Sequence, residues 1–124
     1  MQIIISNNSK KPIYEQIADE IIRAIMNGDI DSGEPLPSMR KLAQELQVSV
    51  ITTKRAYEEL EAKGFIHSMV GKGSFVSEQN IELLKERKRK KIEEQLFEIA
   101  ENSKTVDISL EELIEMMTLM YEGE

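Results

Sequence analysis

The chain has 124 residues, 31% of them Asp, Glu, Lys or Arg, with a formal net charge of −7, a length that suits one domain or one domain with a short appendage. It holds no cysteine and one histidine, His67, which excludes a disulfide scaffold, a thiolate zinc site and a cysteine nucleophile and leaves too few imidazoles for a histidine metal cage. The acidity is uneven: residues 1–77 carry nine Lys/Arg against ten Asp/Glu, whereas residues 78–124 carry seven against thirteen, so the total does not argue against a nucleic-acid partner for the first part.

No stretch approaches the run of about 18 apolar residues that spans a bilayer. The start, Met1-Gln2-Ile3-Ile4-Ile5-Ser6, lacks the basic flank and apolar length of a signal peptide, so a cytoplasmic location without membrane contact is expected.

Ile3-Ile4-Ile5 is β-branched and runs into Ser6-Asn7-Asn8-Ser9, which predicts a brief strand ending in a turn. Pro12 suits the first turn of a helix. Ile13, Ile17, Ile21 and Ile25 then recur every four residues, widened by Ala18, Ile22 and Met26, until Asn27-Gly28 ends the period. Asp29 to Pro37, with Gly33, Pro35 and Pro37, reads as a loop. Ser38 caps a second helix carrying Met39, Leu42, Ala43 and Leu46 on one face. Gln47-Val48 breaks it, and Ser49 caps a third, from about Val50 to Lys63, whose stripe is Ile51, Ala56, Tyr57 and Leu60 and whose C′ residue is Gly64.

Beyond Gly64 the period changes. Phe65–Ser68 and Ser74–Ser77 flank Met69-Val70-Gly71-Lys72-Gly73 as a β-hairpin. Glu78 to about Asn102 is a long charged helix with Ile81, Leu84, Ile92, Leu96 and Ile99, and Lys104–Ile108 links it onward. Ser109 and Glu112 have capping-box spacing, after which Leu110, Leu113, Ile114, Met117, Met120 and Tyr121 share one side of a last helix. The expected fold is mainly α with a small β-hairpin: an N-terminal winged helix-turn-helix over 1–77 and a C-terminal two-helix dimerisation segment over 78–124.

In a helix-turn-helix the second helix reads base edges with residues near its N-terminus, which must be small, polar or basic. Ser49, Thr52, Thr53, Lys54 and Arg55 meet that demand, and the positive end of the helix dipole favours phosphate beside them. Ser38 and Arg40 open the preceding helix, where Arg40 can add a phosphate or base contact. The wing tip Gly71-Lys72-Gly73 offers a cation with little bulk around it.

Other features have plainer readings. The run Lys85–Lys91 is flanked by Glu82, Glu86, Glu93 and Glu94 and reads as a solvated helix face. Met116, Met117 and Met120 have the spacing of a packed helix rather than a ligand pocket. With Ile92, Leu96 and Ile99, and with Leu110, Leu113 and Ile114, they suit packing across a two-fold axis, because two helices alone cannot cover both stripes. His67 is expected to be a strand residue without a catalytic role, and no constellation supports an enzyme, a metal site or a cofactor. A second reading is a winged helix that docks proteins without specific DNA readout, which the acidic C-terminal part would suit.

Pro12-Ile13-Tyr14-Glu15-Gln16-Ile17, the Gly33-x-x-Leu36-Pro37-Ser38-x-Arg40-x-Leu42-Ala43 segment, Val48-Ser49-x-x-Thr52, Ala56-Tyr57-Glu58-Glu59-Leu60-Glu61, Gly64-Phe65-Ile66 and Gly71-Lys72-Gly73-Ser74-Phe75-Val76 together resemble the GntR family of bacterial transcription regulators, collinearly from about Ile3 to Ser77. The resemblance implies a homodimeric repressor on a pseudo-palindromic DNA operator, usually released by a small-molecule effector whose identity the residues do not give. Only about 47 residues follow the wing, which resembles the short YtrA-type subfamily, whose two extra helices dimerise and whose members often control transporter operons. The resemblance assigns DNA contacts to Arg40, Ser49, Thr52, Thr53, Arg55 and Gly71–Gly73. Val50 stands where many members carry a polar or basic residue, and an apolar side chain there can touch a thymine methyl.

Overall fold

A computed structural model describes residues 2–123. Its elements are α1 (Ile13–Met26), α2 (Met39–Leu46), α3 (Val50–Ala62), β1 (Ile66–Met69), β2 (Gly73–Val76), α4 (Ile81–Thr105) and α5 (Leu110–Tyr121). The chain divides at Leu84–Lys85 into two units, so that α4 begins in the first and ends in the second.

The first unit is built on the isoleucine stripe of α1. Ile17 and Ile21 are wholly buried, and Ile25 nearly so, against Ala56, Tyr57 and Leu60 of α3, with Leu36, Leu42, Phe65, Ile66 and Val76 closing the core. Ile81 and Leu84 pack against this cluster. That packing carries the first unit past Ser77, to Leu84.

Ile3–Ile5 does not form a strand. Ile3 and Ile5 pack against the core while Ile4 is exposed, an alternation produced by a half-buried extended segment with no ladder partner. Gln16 ties the segment down: its Oε1 accepts from the Ser6 amide at 2.9 Å, and its Nε2 donates to the carbonyls of Ser6 at 3.0 Å and Lys11 at 2.9 Å.

The junction from α2 to α3 is short because Gln47 adopts the left-handed conformation, with φ 57°. Ser38 and Ser49 cap the two helices as expected, their Oγ atoms accepting from the Lys41 amide at 3.1 Å and the Thr52 amide at 3.2 Å. Such a cap is worth about 1 kcal/mol.

In the hairpin, Ile66 faces Val76 and Met69 faces Gly73 in antiparallel register, each strand lying about one residue from its predicted position. The Gly33–Leu36 segment runs beside β2. Gly33 N–H donates to Val76 O at 2.8 Å, Val76 N–H to Glu34 O at 2.9 Å, and Leu36 N–H to Ser74 O at 2.9 Å. The stretch expected to be an irregular loop therefore supplies the hairpin with a third hydrogen-bonded edge.

The second unit contrasts with this. Helix α4 buries only Ser103, and α5 buries nothing. Ile92, Leu96, Phe97, Ile99, Leu110, Ile114, Met117 and Met120 are all exposed. Helix α4 continues to Thr105, through part of the stretch expected to be a linker, because nothing from Asn102 to Thr105 breaks a helix. The chain then turns through Asp107 at φ 57°, with Val106 N–H and Ile108 N–H both donating to Ser103 O at 3.3 and 3.0 Å. Ser109 caps α5 by accepting from the Glu112 amide at 3.1 Å. The Glu112 carboxylate lies 3.4 Å from the Ser109 hydroxyl, so the cap is made without the full reciprocal box. No helix among the described residues is long and apolar enough to cross a membrane.

Candidate nucleic-acid interface

Helix α3 turns Thr53, Ala56, Tyr57 and Leu60 inward, the i, i+3, i+4, i+7 set of one helical face. The opposite face begins with Ile51, Lys54, Arg55 and Glu58, all exposed. Two sequence expectations are corrected by this rotation. Ile51, assigned to the buried stripe, is 78% exposed, whereas Thr53, assigned to DNA, is wholly buried. The Thr53 hydroxyl stays satisfied because it reaches the Met39 carbonyl at 2.9 Å and the Val50 carbonyl at 3.0 Å, so a threonine occupies a core position without an unpaired polar atom. It braces α2 against α3 and has no path to a base.

The remaining candidates lie on the surface. Thr52 is half-buried, its hydroxyl 2.9 Å from that of Ser49, while Ser38, Arg40, Ser49, Lys54, Arg55, Gly71, Lys72 and Gly73 are exposed. Among the described residues, Arg40, Lys54, Arg55 and Lys72 form no salt bridge. Arg55 has a different partner: its guanidinium lies 4.1 Å over the Tyr14 ring and 3.4 Å from the Tyr14 hydroxyl. This contact between α3 and α1 holds the cation toward α1 while leaving its hydrogen-bond donors accessible. No local pattern signals it, because the two residues are 41 positions apart.

The charge on α3 changes sign along its length. Beyond Arg55 the helix carries Glu58, Glu59 and Glu61; Glu59 pairs with Lys63 at 3.6 Å, and Glu61 accepts from Ser68 at 2.7 Å. Carboxylates there repel a phosphate backbone, which confines any nucleic-acid contact of α3 to its first two turns. At the wing, Gly71 and Gly73 have φ of 75° and 102°, conformations that side chains resist, and between them Lys72 stands at the tip with the fully exposed Val70 beside the turn. His67 lies at the wing base, its Nδ1 2.9 Å from Ser77 Oγ and its ring stacked on Phe75.

Below the hairpin, Tyr57 Oη donates to the Pro37 carbonyl at 2.7 Å. Burial, and after it the Glu45 carboxylate, push the phenol up to about 12. The bond fastens the start of α2 to α3, so the entry to Arg40 and the reading face of α3 are held by the same side chain.

A helix-turn-helix followed by a hairpin, with exposed cations around a capped recognition-helix start, defines a winged-helix DNA-binding protein. Residues 13–76 match the model for the bacterial regulatory proteins of the gntR family, and the chain belongs to that family. It is 35% identical over 113 residues to the HTH-type transcriptional repressor YtrA of Bacillus subtilis (strain 168), covering 91% of this chain and 87% of that one. Among solved structures it is similar to YtrA from Sulfolobus acidocaldarius, a GntR-family transcription factor, with a TM-score of 0.64, 37% identity, and coverage of 76% of this chain and 96% of that one. It is also similar to the DNA-binding domain of AraR in complex with operator ORX1, with a TM-score of 0.55, 28% identity, and coverage of 62% and 96%. The protein is a DNA-binding transcriptional regulator rather than an enzyme, of the short YtrA type, and its partner is double-stranded DNA.

Proposed function

We propose that the protein is a cytoplasmic homodimeric repressor that binds a pseudo-palindromic operator. The observation that carries the DNA half of this reading is the set of exposed cations that have no carboxylate partner among the described residues, at the capped start of α3 and around it: Arg40, Lys54, Arg55 and Lys72. Residues 1–77 supply the DNA-binding domain. The first two turns of α3 enter the major groove, with Ser49, Thr52 and Lys54 at base edges and Arg55, steadied by Tyr14, on a phosphate. Ser38 and Arg40 meet the backbone or an adjacent base, and Gly71, Lys72 and Gly73 meet the neighbouring backbone or minor groove.

Residues 78–124 supply the dimerisation segment. Helices α4 and α5 leave Ile92, Leu96, Ile99, Leu110, Ile114, Met117 and Met120 exposed on helices that bury almost nothing within one chain, an arrangement that a second copy relieves. Leu113 belongs to the same surface. The repressor reading draws support from the kinship with B. subtilis YtrA, named a transcriptional repressor. A small-molecule effector, where one acts, would sit at the dimer interface, since residues 85–124 are too few to enclose a large pocket alone.

Selection of bound duplexes from a random DNA library tests the reading in one step. The expected product is an inverted repeat whose half-sites are centred about 10 base pairs apart, or a multiple of that. Binding should weaken steeply as salt rises, because phosphate contacts release counterions. Enrichment of no sequence, together with no salt-sensitive retention on duplex DNA, would instead indicate a protein-docking module.

A further inference from the structure

The surface of α3 inverts ordinary patterning at one point. Two residues apart, a threonine is wholly buried and an isoleucine is 78% exposed. The buried set of Thr53, Ala56, Tyr57 and Leu60 closes the packing without Ile51, so no core contact accounts for a β-branched apolar side chain on that face. Its helical neighbours there are Lys54, Arg55 and Glu58, all exposed and charged. Val50, beside it at the helix start, is a further 40% exposed. Ile51 therefore stands as an apolar side chain in the first turn of α3, beside cations and the Ser49 cap, while Val50 lies a step round the helix toward the Thr53 face.

We propose that Ile51 is a specificity-determining residue that reads the C5-methyl group of thymine in the major groove. The proposal rests on the DNA-binding reading above and adds to it the base class that this side chain selects. Residues at the N-terminus of a recognition helix meet base edges, and thymine alone presents a methyl group there, which apolar side chains recognise. An isoleucine cannot form the bidentate hydrogen bonds by which Arg selects guanine or Asn selects adenine. What it supplies is desolvation of a methyl group, while the neighbouring Arg55 holds the backbone by charge.

The test uses the full chain and the duplex enriched by the random-library selection. Each thymine in a half-site is replaced in turn by deoxyuracil, which keeps the O4 acceptor and the pairing and removes only the methyl group. Dissociation constants are measured by fluorescence anisotropy for the wild-type protein and for Ile51→Ala. For the wild type, one or two thymine positions should lose about fourfold in affinity per methyl removed, the factor for burying one such group at about 0.8 kcal/mol. Ile51→Ala should bind the thymine duplex more weakly and show no further loss on uracil at those positions. The variant is expected to fold, since Ile51 is exposed and alanine is the better helix former, and circular dichroism checks this.

Equal uracil penalties in both proteins, or none in either, on a duplex that is nonetheless bound specifically, would overturn the role of Ile51 and leave DNA reading intact. Absence of any enriched duplex would overturn both.

Discussion

The first unit, to Leu84, covers its own apolar surface; the second, from Lys85, does not. Ile17, Ile21, Ala56 and Leu60 are fully buried in the one, whereas α5 in the other buries no residue at all. Both are amphipathic in sequence, so hydrophobic patterning alone does not separate them. What separates them is closure. Helices α1 and α3 and the hairpin enclose a common core, while the stripes of α4 and α5 lack a cover within one chain. A self-contained core encodes a fold, and an open stripe encodes a requirement for another molecule.

Four measurements put that contrast to the test. The largest effect is expected from Ile114→Glu with Met117→Glu on α5: two carboxylates buried at an interface cost several kcal/mol each. Sedimentation velocity at micromolar concentration should show the mass falling to that of one chain. The first unit should keep its near-ultraviolet spectrum, and a wild-type protein already monomeric would refute the assignment of α4 and α5.

Next in size, Ile21→Ala should remove about 2–5 kcal/mol of unfolding free energy, as large-to-small core changes do. Urea titration measures it, and a loss well under 1 kcal/mol would mean that the α1 stripe is not the keystone of the core. Tyr57→Phe should cost about 1 kcal/mol through the lost bond to Pro37 O. The wild-type phenol titrates above its ordinary value of near 10. Its favourable burial is therefore fully present below pH 10 and is lost as the pH rises toward about 12. The Phe variant should lack that alkaline decline, and parallel pH profiles of the melting temperature would contradict it. The smallest effect belongs to Lys72→Ala, which should lower the slope of log K against log salt by about one unit on every duplex. A loss confined to one sequence would show base reading by the wing instead.

Much of the fold was legible because its signals are local. The four-residue isoleucine period of α1, the serine caps at positions 38, 49 and 109, and the glycines around Lys72 each name an element within a few residues. The failures share a cause. Ile3–Ile5 has strand composition but no partner, and pairing is not a local property. Ile51 and Thr53 were exchanged because hydrophobicity predicts which residue would prefer burial, whereas the rotation of α3 against α1 and α2 decides which one receives it. The carbonyls of Met39 and Val50 make the buried threonine tolerable, and no pattern in the sequence announces them. The Arg55–Tyr14 contact was hidden in the same way, by distance along the chain.

The hydrogen bonds that join Gly33, Glu34 and Leu36 to β2 in both directions bear on how new binding specificities can arise. They help set the aim of the wing from the segment that leads directly into α2, alongside the bond from Ser68 to Glu61 of α3. Grafting the exposed positions in the first two turns of α3 from a relative, with Glu61 kept, should therefore change which bases are read without re-aiming the wing. A one-residue insertion between Gly33 and Leu36 would do the reverse: the strand alternation would slip by one place, facing Phe75 and Val76 with the wrong neighbours. The molecule thus separates the letters it reads from the grip it keeps, and the two can drift independently.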